Sequence, residues 1–378
     1  IGQFVDLARH LAGHEAAPRF ANGVLRSAVR ALEADNFPAP ENELRGRDLM
    51  GRDLLRCLAI QYSHPTWLAA RWLRRFGTEG AEALMEHNNR HPTYTARINS
   101  LTGTTLQNLA DDLAADGVEV APAPLLPGEF LEIRGGLQTL LKKRYVLLGM
   151  CNIQDVAQGL VVRLALNPQP GERLLDCCAA PGGKTVYAAA HMQGKGSITA
   201  VDISAAKVNA ITRLAACCRV PKDMLRVVAA DFREWAANEA APGVQHKGWD
   251  RVLLDVPCSG SGVLAKRADL RWRKSAQDLE ELVKLQAQLL DAAAPLVRAE
   301  GGVLVYSTCS IEPEEGEGQV EAFLSRHPEF QLQPLTAQDA RAAGAAESVV
   351  TPEGFLFTLP HVHGVDGAFA ARLVRRKQ

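Results

Sequence analysis

The segment Gly171-Glu-Arg-Leu-Leu-Asp-Cys-Cys-Ala-Ala-Pro-Gly-Gly-Lys-Thr185 joins a short apolar run to a turn made of small residues. The run that ends at Asp176 predicts a β-strand, and Gly182 and Gly183 predict a tight turn that opens a helix. This order is typical of the first unit of an open α/β sheet, whose ligands bind beyond the carboxyl ends of the strands. We therefore expect an α/β fold with helices on both faces of the sheet.

The alternation of strands and helices continues downstream of this segment. Further strands are predicted at Ser197 to Asp202, Arg226 to Ala229, Arg251 to Leu254 and Val303 to Tyr306. The segment from Gly354 to Arg376 is expected to supply antiparallel closing strands. Four aspartates repeat at intervals close to the length of one βα unit: Asp176, Asp202, Asp231 and Asp255.

These four aspartates would all lie along the ligand-binding edge of the sheet, because each ends or follows a predicted parallel strand. A single aspartate at such a point is about as often the N-cap of the next helix as a ligand. Four in register favour a nucleoside-binding edge.

The glycine turn is similar to two phosphate-binding patterns but satisfies neither. A Walker loop needs glycine five positions before Gly183, where this chain has Cys178, and a dinucleotide loop needs three spaced glycines. S-adenosylmethionine has no pyrophosphate, so two glycines suffice for close backbone approach, and a helix N-terminus can meet its carboxylate. Asp202 would then bind the ribose hydroxyls and Asp231 the adenine amine.

Two segments place a cysteine directly after a predicted strand: Asp255-Val-Pro-Cys258-Ser and Ser307-Thr-Cys309-Ser. A thiolate suits methylation of a pyrimidine, because its addition to carbon 6 makes carbon 5 nucleophilic. Asp255 would hold the ring-nitrogen edge of the base. The base must leave its stack to reach such a site, which predicts single-stranded or flipped RNA or DNA. The order of the residues does not rank the two thiols.

The composition is that of a folded globular protein. The 378 residues, 47% of them hydrophobic, suit two or three domains. No apolar stretch approaches the roughly 18 residues that span a bilayer. The net charge of −1 gives no sign of a nucleic-acid binder, so a local cluster carries that prediction, with a solvated face as the alternative. The cluster comprises Lys266, Arg267, Arg271, Trp272 and Arg273.

The eight cysteines show no C-x-x-C spacing, so we expect no metal site and reduced thiols. Five of them are expected to be buried small hydrophobes: Cys57, Cys151, Cys177, Cys217 and Cys218. The chain begins at Ile1 rather than Met and is interpreted as a trimmed fragment. The expected compartment is the cytoplasm, or a plastid or another organelle if a targeting segment was trimmed.

With these residues in view, the chain resembles the RNA cytosine-C5 methyltransferases, and most of all the bacterial Sun/Fmu type that modifies small-subunit rRNA. The resemblance is carried by Cys178 to Thr185, Asp255 to Val263 and Tyr306 to Glu315. It implies a Rossmann-like S-adenosylmethionine-dependent methyltransferase sheet, with Cys309 as the nucleophile and Cys258 assisting product release. The cofactor contacts that it implies are Cys178, Ala179, Ala180, Pro181, Gly182, Gly183, Lys184, Asp202, Lys207, Asp231 and Asp255.

Without the resemblance Cys258 would be favoured as the nucleophile, because DNA cytosine methyltransferases use the thiol of a Pro-Cys pair. The resemblance also divides the chain into three parts. Residues 1–60 resemble part of a NusB-like helical domain, with apolar residues at three-and-four spacing and a proline-containing loop from Asn36 to Asn42. Residues 61–147 are expected to form a small α+β RNA-binding domain, and residues 148–378 the catalytic domain.

Two other functions remain open. A tRNA substrate is the second candidate, because target choice depends on the N-terminal domains, where the pattern is weakest. A non-catalytic RNA-binding ribosome-assembly factor is the alternative from another class, although both thiols and all four aspartates are present. A DNA substrate is disfavoured, because the Thr-Cys-Ser segment has no use in that mechanism.

Overall fold

The computed structural model describes residues 2–12, 16–34, 51–142, 144–241 and 248–376. The chain divides into two compact units, residues 1–78 and 79–378. The predicted loop from Asn36 to Asn42 lies outside the described residues. Within the described ranges, no helix is both long enough and apolar enough to pass through a membrane.

The first unit is helical, as its apolar spacing predicts. Its described helices are α1 (Gly2–Ala12), α2 (Ala16–Glu33), α3 (Arg52–Gln61) and α4 (Thr66–Asn89). Helix α4 is broken at Gly77, where φ is +70° and ψ is −175°, and its residues from Glu79 onward belong to the second unit. Leu58, Ala69 and Trp72 are buried, whereas Phe4 and Leu7 of α1 are 65% and 51% exposed. The NusB-like assignment of residues 1–60 therefore stays a prediction.

The second unit begins with a small antiparallel sheet. Its elements are β1 (Tyr94–Ile98), α5 (Leu106–Ala115), β2 (Glu119–Pro122), β3 (Phe130–Gly135), α6 (Leu137–Lys142), α7 (Arg144–Leu147) and β4 (Cys151–Ile153). The strands pair in the order β2-β3-β1-β4, and Leu109 and Leu113 of α5 pack in the core beneath them. Strand β4 belongs to this sheet but lies beyond residue 147, where the sequence placed the end of the small domain. The strand was not recognised in the sequence because three residues carry too little periodicity.

A larger mixed sheet forms the rest of the second unit. Its strands are β5 (Arg173–Asp176), β6 (Ser197–Asp202), β7 (Leu225–Ala229), β8 (Arg251–Asp255), β9 (Val303–Thr308), β10 (Phe330–Leu332), β11 (Leu356–Thr358) and β12 (Ala368–Arg375). The helices are α8 (Val156–Leu160), α9 (Gly183–His191), α10 (Ala205–Cys217), α11 (Phe232–Glu239), α12 (Leu270–Arg273), α13 (Ala276–Ala293), α14 (Glu317–Arg326), α15 (Ala337–Ala343) and α16 (Pro360–His363).

The strands of the large sheet run in the order β10-β12-β9-β8-β5-β6-β7, and β11 pairs with β12. Strands β5 to β9 are parallel to one another, and β12 is antiparallel to β9. Apolar clusters cover both faces of the sheet, which accounts for the nearly continuous apolar runs of the central strands. The predicted α/β class with a small preceding α+β domain is confirmed.

The strand order creates the site. The chain moves outward from β5 to β6 and β7 on one side, then returns to place β8 and β9 on the other. A crevice opens where the order reverses, at the carboxyl ends of β5 and β8. Asp255 at the end of β8 pairs in register with Ser307 of β9, so the two thiol segments leave the sheet side by side.

Candidate active site

The four aspartates occupy the sheet edge predicted for them. Asp176, Asp202 and Asp255 are the last residues of β5, β6 and β8, and Asp231 follows β7. Asp231 also caps α11, because its side chain accepts a hydrogen bond from the Arg233 N–H. The ligand interpretation and the capping interpretation are therefore compatible for this residue.

A cleft of about 340 Å³ opens along this edge. Its polar lining includes Asp202, Lys207 and Asp231, while Ile203 and Phe232 supply apolar wall. One oxygen of Asp202 accepts a hydrogen bond from the Ala180 N–H at 3.1 Å, and the other accepts one from the Ser204 N–H at 3.1 Å. These contacts fix the carboxylate and leave lone pairs for ribose hydroxyls, so the cleft fits a nucleoside.

The glycine turn gives the cleft its shape. Gly182 has a φ of +102° and precedes α9, which begins at Gly183. A Cβ at Gly182 would also lie 3.3 Å from Ile211, so a larger residue is disfavoured by both backbone and space. Gly182 lines neither this cleft nor the larger cavity described next, so its role is to form the turn.

A larger cavity of about 740 Å³ adjoins the turn. The predicted site residues that line it are Cys178, Ala179, Ala180, Pro181, Gly183, Lys184, Asp255, Lys266, Arg267 and Cys309. Cys178, Ala180 and Asp255 line both spaces, so the cleft and the cavity meet at the carboxyl ends of β5 and β8. A ligand in the cleft and a second ligand in the cavity would therefore approach each other there.

Asp255 is held by two neighbours. The Lys184 ammonium lies 2.7 Å from one carboxylate oxygen, and the Ser307 hydroxyl donates to the other at 2.8 Å. Lys184 also donates to the side-chain oxygen of Gln158 and is only 11% exposed. A partly buried carboxylate that is paired in this way is fixed in orientation.

The two thiols face each other. The sulfur atoms of Cys258 and Cys309 are 3.2 Å apart, and both cysteines are free. Hydrogen bonding from Cys309 lowers the pKa of Cys258, and the same interaction raises the pKa of Cys309. The pair therefore loses one proton readily and the second with difficulty, because two thiolates at this distance repel each other. Cys309 lines the larger cavity, whereas Cys258 lines neither space.

A buried carboxylate joins the two thiol loops. Glu315 is fully buried and accepts hydrogen bonds from the Ser259 N–H at 2.9 Å and from the Gln286 side chain at 2.9 Å. Its second oxygen accepts a hydrogen bond from the Ser259 hydroxyl at 2.5 Å. Gln286 also donates to the Pro257 carbonyl at 2.9 Å. We call Glu315, Ser259 and Gln286 the Glu315 clamp.

A second group ties the segment after Cys258 to distant parts of the chain. The Lys266 ammonium donates to Asp155 and lies 3.2 Å from an Asp366 oxygen. Asp155 also accepts a hydrogen bond from the Asp366 N–H at 3.1 Å. Burial, followed by repulsion from Asp155, raises the pKa of Asp366 to about 7. We call Lys266, Asp155 and Asp366 the Lys266 clamp.

Asp176 is buried within the glycine-turn unit. The Thr185 hydroxyl donates to one of its oxygens at 2.7 Å, and the other oxygen has no hydrogen-bond partner among the described residues. Burial raises the pKa of Asp176 to about 7, so the carboxyl is protonated in part near neutral pH. This residue supports the turn that carries the cofactor loop.

The structure separates the predicted RNA contacts into two groups. The Lys266 side chain is 17% exposed and engaged in its clamp, and Arg271 is 5% exposed. The Arg271 guanidinium donates to the Asn89 side chain at 2.7 Å and the Asn88 carbonyl at 3.0 Å. Arg267 and Arg273 are 60% and 72% exposed, and Trp272 is 63% exposed. The second group has the exposure that an RNA contact requires.

Among the other cysteines, burial is confirmed for Cys57, Cys151, Cys177 and Cys218. The expectation for Cys217 is wrong, since its side chain is exposed at the last residue of α10. Adjacent residues on a helix point about 100° apart, so Cys217 and Cys218 do not share a face. Sequence reasoning also missed Glu315, Gln286 and Asp155 as site residues. Their motif positions were visible in the sequence, but their partners lie far away along the chain.

A mixed sheet of this order, with a nucleoside cleft at its point of reversal, defines the class of S-adenosylmethionine-dependent methyltransferases. Residues 163–374 match the family described as 16S rRNA methyltransferase RsmB/F, and residues 64–130 match the ferredoxin-like domain of RsmF/B-like methyltransferases. The chain belongs to the RsmB/F methyltransferase family, and it is an S-adenosylmethionine-dependent RNA methyltransferase. The predicted family, class of enzyme and cofactor are confirmed.

Curated relatives extend over nearly the whole chain. The probable ribosomal RNA small subunit methyltransferase B of Bacillus subtilis is 33% identical over 376 residues, covering 100% of this chain and 78% of the relative. The protein of the same description from Synechocystis is 34% identical, covering 98% of this chain and 76% of the relative. The structure of NSun6 from Pyrococcus horikoshii with SFG has a TM-score of 0.70 at 21% identity, covers 83% of this chain and 99% of that one, and supports the fold.

Proposed function

We propose that this enzyme methylates carbon 5 of a cytosine in small-subunit rRNA through a covalent adduct between Cys309 and carbon 6. The observation that carries the proposal is the position of Cys309. Its thiol lines the cavity that also contains Lys184 and Asp255, and it has a second thiol 3.2 Å away. The choice of rRNA rests on the relatives described as ribosomal RNA small subunit methyltransferase B.

The thiol pair supplies the first step. Before RNA binds, hydrogen bonding from Cys309 lowers the pKa of Cys258, so Cys258 is the thiol of the pair that ionises first. Transfer of the Cys309 proton to Cys258 over 3.2 Å frees the Cys309 thiolate to add to carbon 6 of the base. A sulfur–carbon bond forms, and the electron pair of the ring double bond moves toward carbon 5.

Asp255 faces the same cavity and can accept a hydrogen bond from the amino group of cytosine. S-adenosylmethionine, when bound in the cleft, supplies the methyl group as an electrophile to carbon 5. Solvent then accepts the proton from carbon 5, the ring double bond re-forms, and the bond between carbon 6 and the Cys309 sulfur breaks with its electron pair on sulfur. Cys258, now protonated, returns its proton to the departing Cys309 thiolate, which restores the starting state of the pair.

The test is to trap the adduct with RNA that contains 5-fluorocytidine. Fluorine on carbon 5 does not leave as a proton does, so the enzyme stays attached after methyl transfer. We expect an adduct on denaturing gels, mapped by mass spectrometry to Cys309, when small-subunit rRNA and S-adenosylmethionine are present. An adduct on Cys258 would reverse the roles of the thiols, and an adduct with tRNA but not rRNA would change the substrate.

Two substitutions and one control complete this test. Cys309→Ala should lose at least about 10³-fold in kcat and form no adduct. Cys258→Ala should form the adduct more slowly, because Cys309 loses its proton acceptor, and should then retain it even on ordinary RNA, because release is impaired. Cys217→Ala changes an exposed cysteine that lines neither space and should behave as the wild type. Methyl transfer at the wild-type rate by Cys309→Ala would refute the covalent mechanism.

A further inference from the structure

A third cavity, of about 490 Å³, lies on the other side of the Lys266 clamp from the active site. Its walls come from His87 and residues 90–93, at the end of α4 and before β1, from Ala265 and Lys266, and from residues 360–366. Asp155, Lys266 and Asp366 line both this cavity and the larger one that contains Cys309. The two spaces are therefore neighbours that share one wall.

The walls of this cavity are held in place by interactions that do not involve a ligand. Arg271 ties α12 to Asn88 and Asn89 at the end of α4, next to the lining residues. His363 accepts a hydrogen bond from the Leu359 N–H at 2.9 Å and contacts the Ser348 carbonyl at 3.3 Å, which fixes α16. A volume of this size with fixed walls is within the range of ligand sites.

The lining is rich in side-chain rings and contains little uncompensated positive charge. Its histidines are His87, His91, His361 and His363, and its prolines are Pro92 and Pro360. Burial lowers the pKa values of His87, His361 and His363, and nearby Arg90 and Lys266 lower that of His87 further. These three imidazoles are therefore neutral near pH 7.

These properties favour a nucleobase over a phosphate. Two carboxylates stand beside Lys266 in the shared wall, so its charge is compensated there. Arg90 is exposed at the rim and is paired with Glu86 at 2.8 Å. Unpaired RNA bases stack on histidine and arginine side chains and form hydrogen bonds through their edges.

We propose that this cavity, the histidine cavity, holds the base of an RNA nucleotide near the target cytosine in the same strand. This inference rests on the proposed function, because it requires that the target base enter the neighbouring cavity. One RNA strand then places one base on each side of the Lys266 clamp. The histidine cavity selects the sequence or shape of the RNA around the target.

The experiment combines base removal with substitution of the cavity wall. Binding is measured by fluorescence anisotropy, with the full chain, for a nine-nucleotide RNA that has a central cytosine. Eight further RNAs each lack one flanking base but keep its sugar and phosphate. We expect one of them to bind the wild type about tenfold more weakly than the intact RNA.

The same RNAs are then tested with His87→Ala and with His91→Ala, whose side chain is exposed and whose change should not affect folding. At least one variant should bind intact RNA about tenfold more weakly, yet lose nothing further when the critical base is absent. His191→Ala is the control, because His191 is half-buried, has a pKa lowered by burial and lines none of the three spaces. It should bind every RNA as the wild type does.

If the losses from substitution and base removal multiply instead, or if no flanking base matters, the histidine cavity does not hold a base. Methyl transfer to the same RNAs, followed with labelled cofactor, separates the two proposals. If the losses from substitution and base removal do not multiply but no methyl group is transferred, the result supports the histidine cavity and refutes the cytosine-C5 activity on these RNAs. If methyl groups are transferred but the two losses multiply, only the proposal for the histidine cavity is refuted.

Discussion

The Glu315 clamp and the Lys266 clamp both hold the chain that follows Cys258, but they do so with different chemistry. Glu315 is fully buried, and its oxygens accept hydrogen bonds from the neutral donors of Ser259 and Gln286. Lys266 is paired with two carboxylates that compete for one cation. The first arrangement is rigid and specific in geometry, whereas the second depends on protonation.

The two clamps also lie beside different parts of the site. The Glu315 clamp fixes the backbone next to both thiols, where a small displacement would change the 3.2 Å separation of the sulfur atoms. The Lys266 clamp separates two cavities proposed to bind adjacent parts of one RNA. We infer that the first clamp affects both stability and catalysis, and that the second affects stability and RNA binding.

The largest effect is expected for Glu315→Gln. The glutamine amide group would present a donor to the Ser259 hydroxyl, which in the wild type donates to Glu315, so this hydroxyl must reverse its hydrogen bond or lose it. We expect a loss of roughly 4 kcal/mol in the free energy of unfolding, measured with urea, and a fall in kcat of at least about tenfold. The pH profile of kcat should also shift, because the two thiols would no longer be held together.

The control for this prediction is Glu314→Gln, which makes the same chemical change at the neighbouring, exposed residue. It should alter stability by less than about 0.5 kcal/mol and leave kcat unchanged. If Glu315→Gln loses stability but keeps both kcat and the pH profile, the Glu315 clamp is structural and does not position the thiols.

The next largest effect is the pH dependence contributed by Asp366. Its pKa in the folded chain is raised from 3.8 to about 7, so between these values the folded chain holds a proton that the unfolded chain has lost. The stability from this group is therefore complete below about pH 4 and is lost as the pH rises through about 7. Asp366→Asn should not show this loss. The free energy of unfolding of the variant should therefore rise relative to that of the wild type by roughly 3 kcal/mol as the pH increases from about 4 to about 8.

Urea unfolding at four pH values checks this prediction. Asp176, whose pKa is also raised to about 7, contributes equally to both proteins and cancels in the difference. The control is Asp269→Asn, which makes the same chemical change at a carboxylate that is 49% exposed and outside both clamps. A difference for Asp366→Asn that does not change with pH would mean that Lys266 keeps Asp366 ionised, and the two clamps would then be alike in their response to pH.

The sequence correctly predicted those features of the site that depend only on residues close together along the chain. The turn at Gly182, the aspartates that end β5, β6 and β8, and the two thiols all depend on a strand followed by small residues. The relatives confirm the family and the cofactor that the three motifs imply. The individual roles of the site residues in catalysis stay predictions.

The clamps could not be predicted in this way, because their members are far apart along the chain. Ser259 contacts Glu315, and Lys266 contacts Asp155, only after the sheet has assembled. The basic cluster shows the same limit. Helix α12 has only four residues, which is too short for periodicity to show that Arg271 points inward while its neighbours point outward.

The smallest effects are expected for the exposed arginines outside both clamps. Arg267→Ala and Arg273→Ala should each weaken RNA binding by about two- to threefold and reduce the slope of log affinity against log salt by about 0.7 for a single strand. Each arginine is near Asp269, at 3.7 Å and 3.3 Å, but these exposed pairs add little to stability. The free energy of unfolding should therefore not change measurably.

Arg271→Ala makes the same chemical change at a buried arginine of the same cluster. It should lower the free energy of unfolding by roughly 2 kcal/mol, because it removes the hydrogen bonds to Asn88 and Asn89. The salt dependence of RNA binding should keep its wild-type slope, since a buried guanidinium releases no counterion when RNA binds. A reduced slope for Arg271→Ala would show that this arginine turns outward to meet phosphate, and the walls of the histidine cavity would then not be fixed before RNA binds.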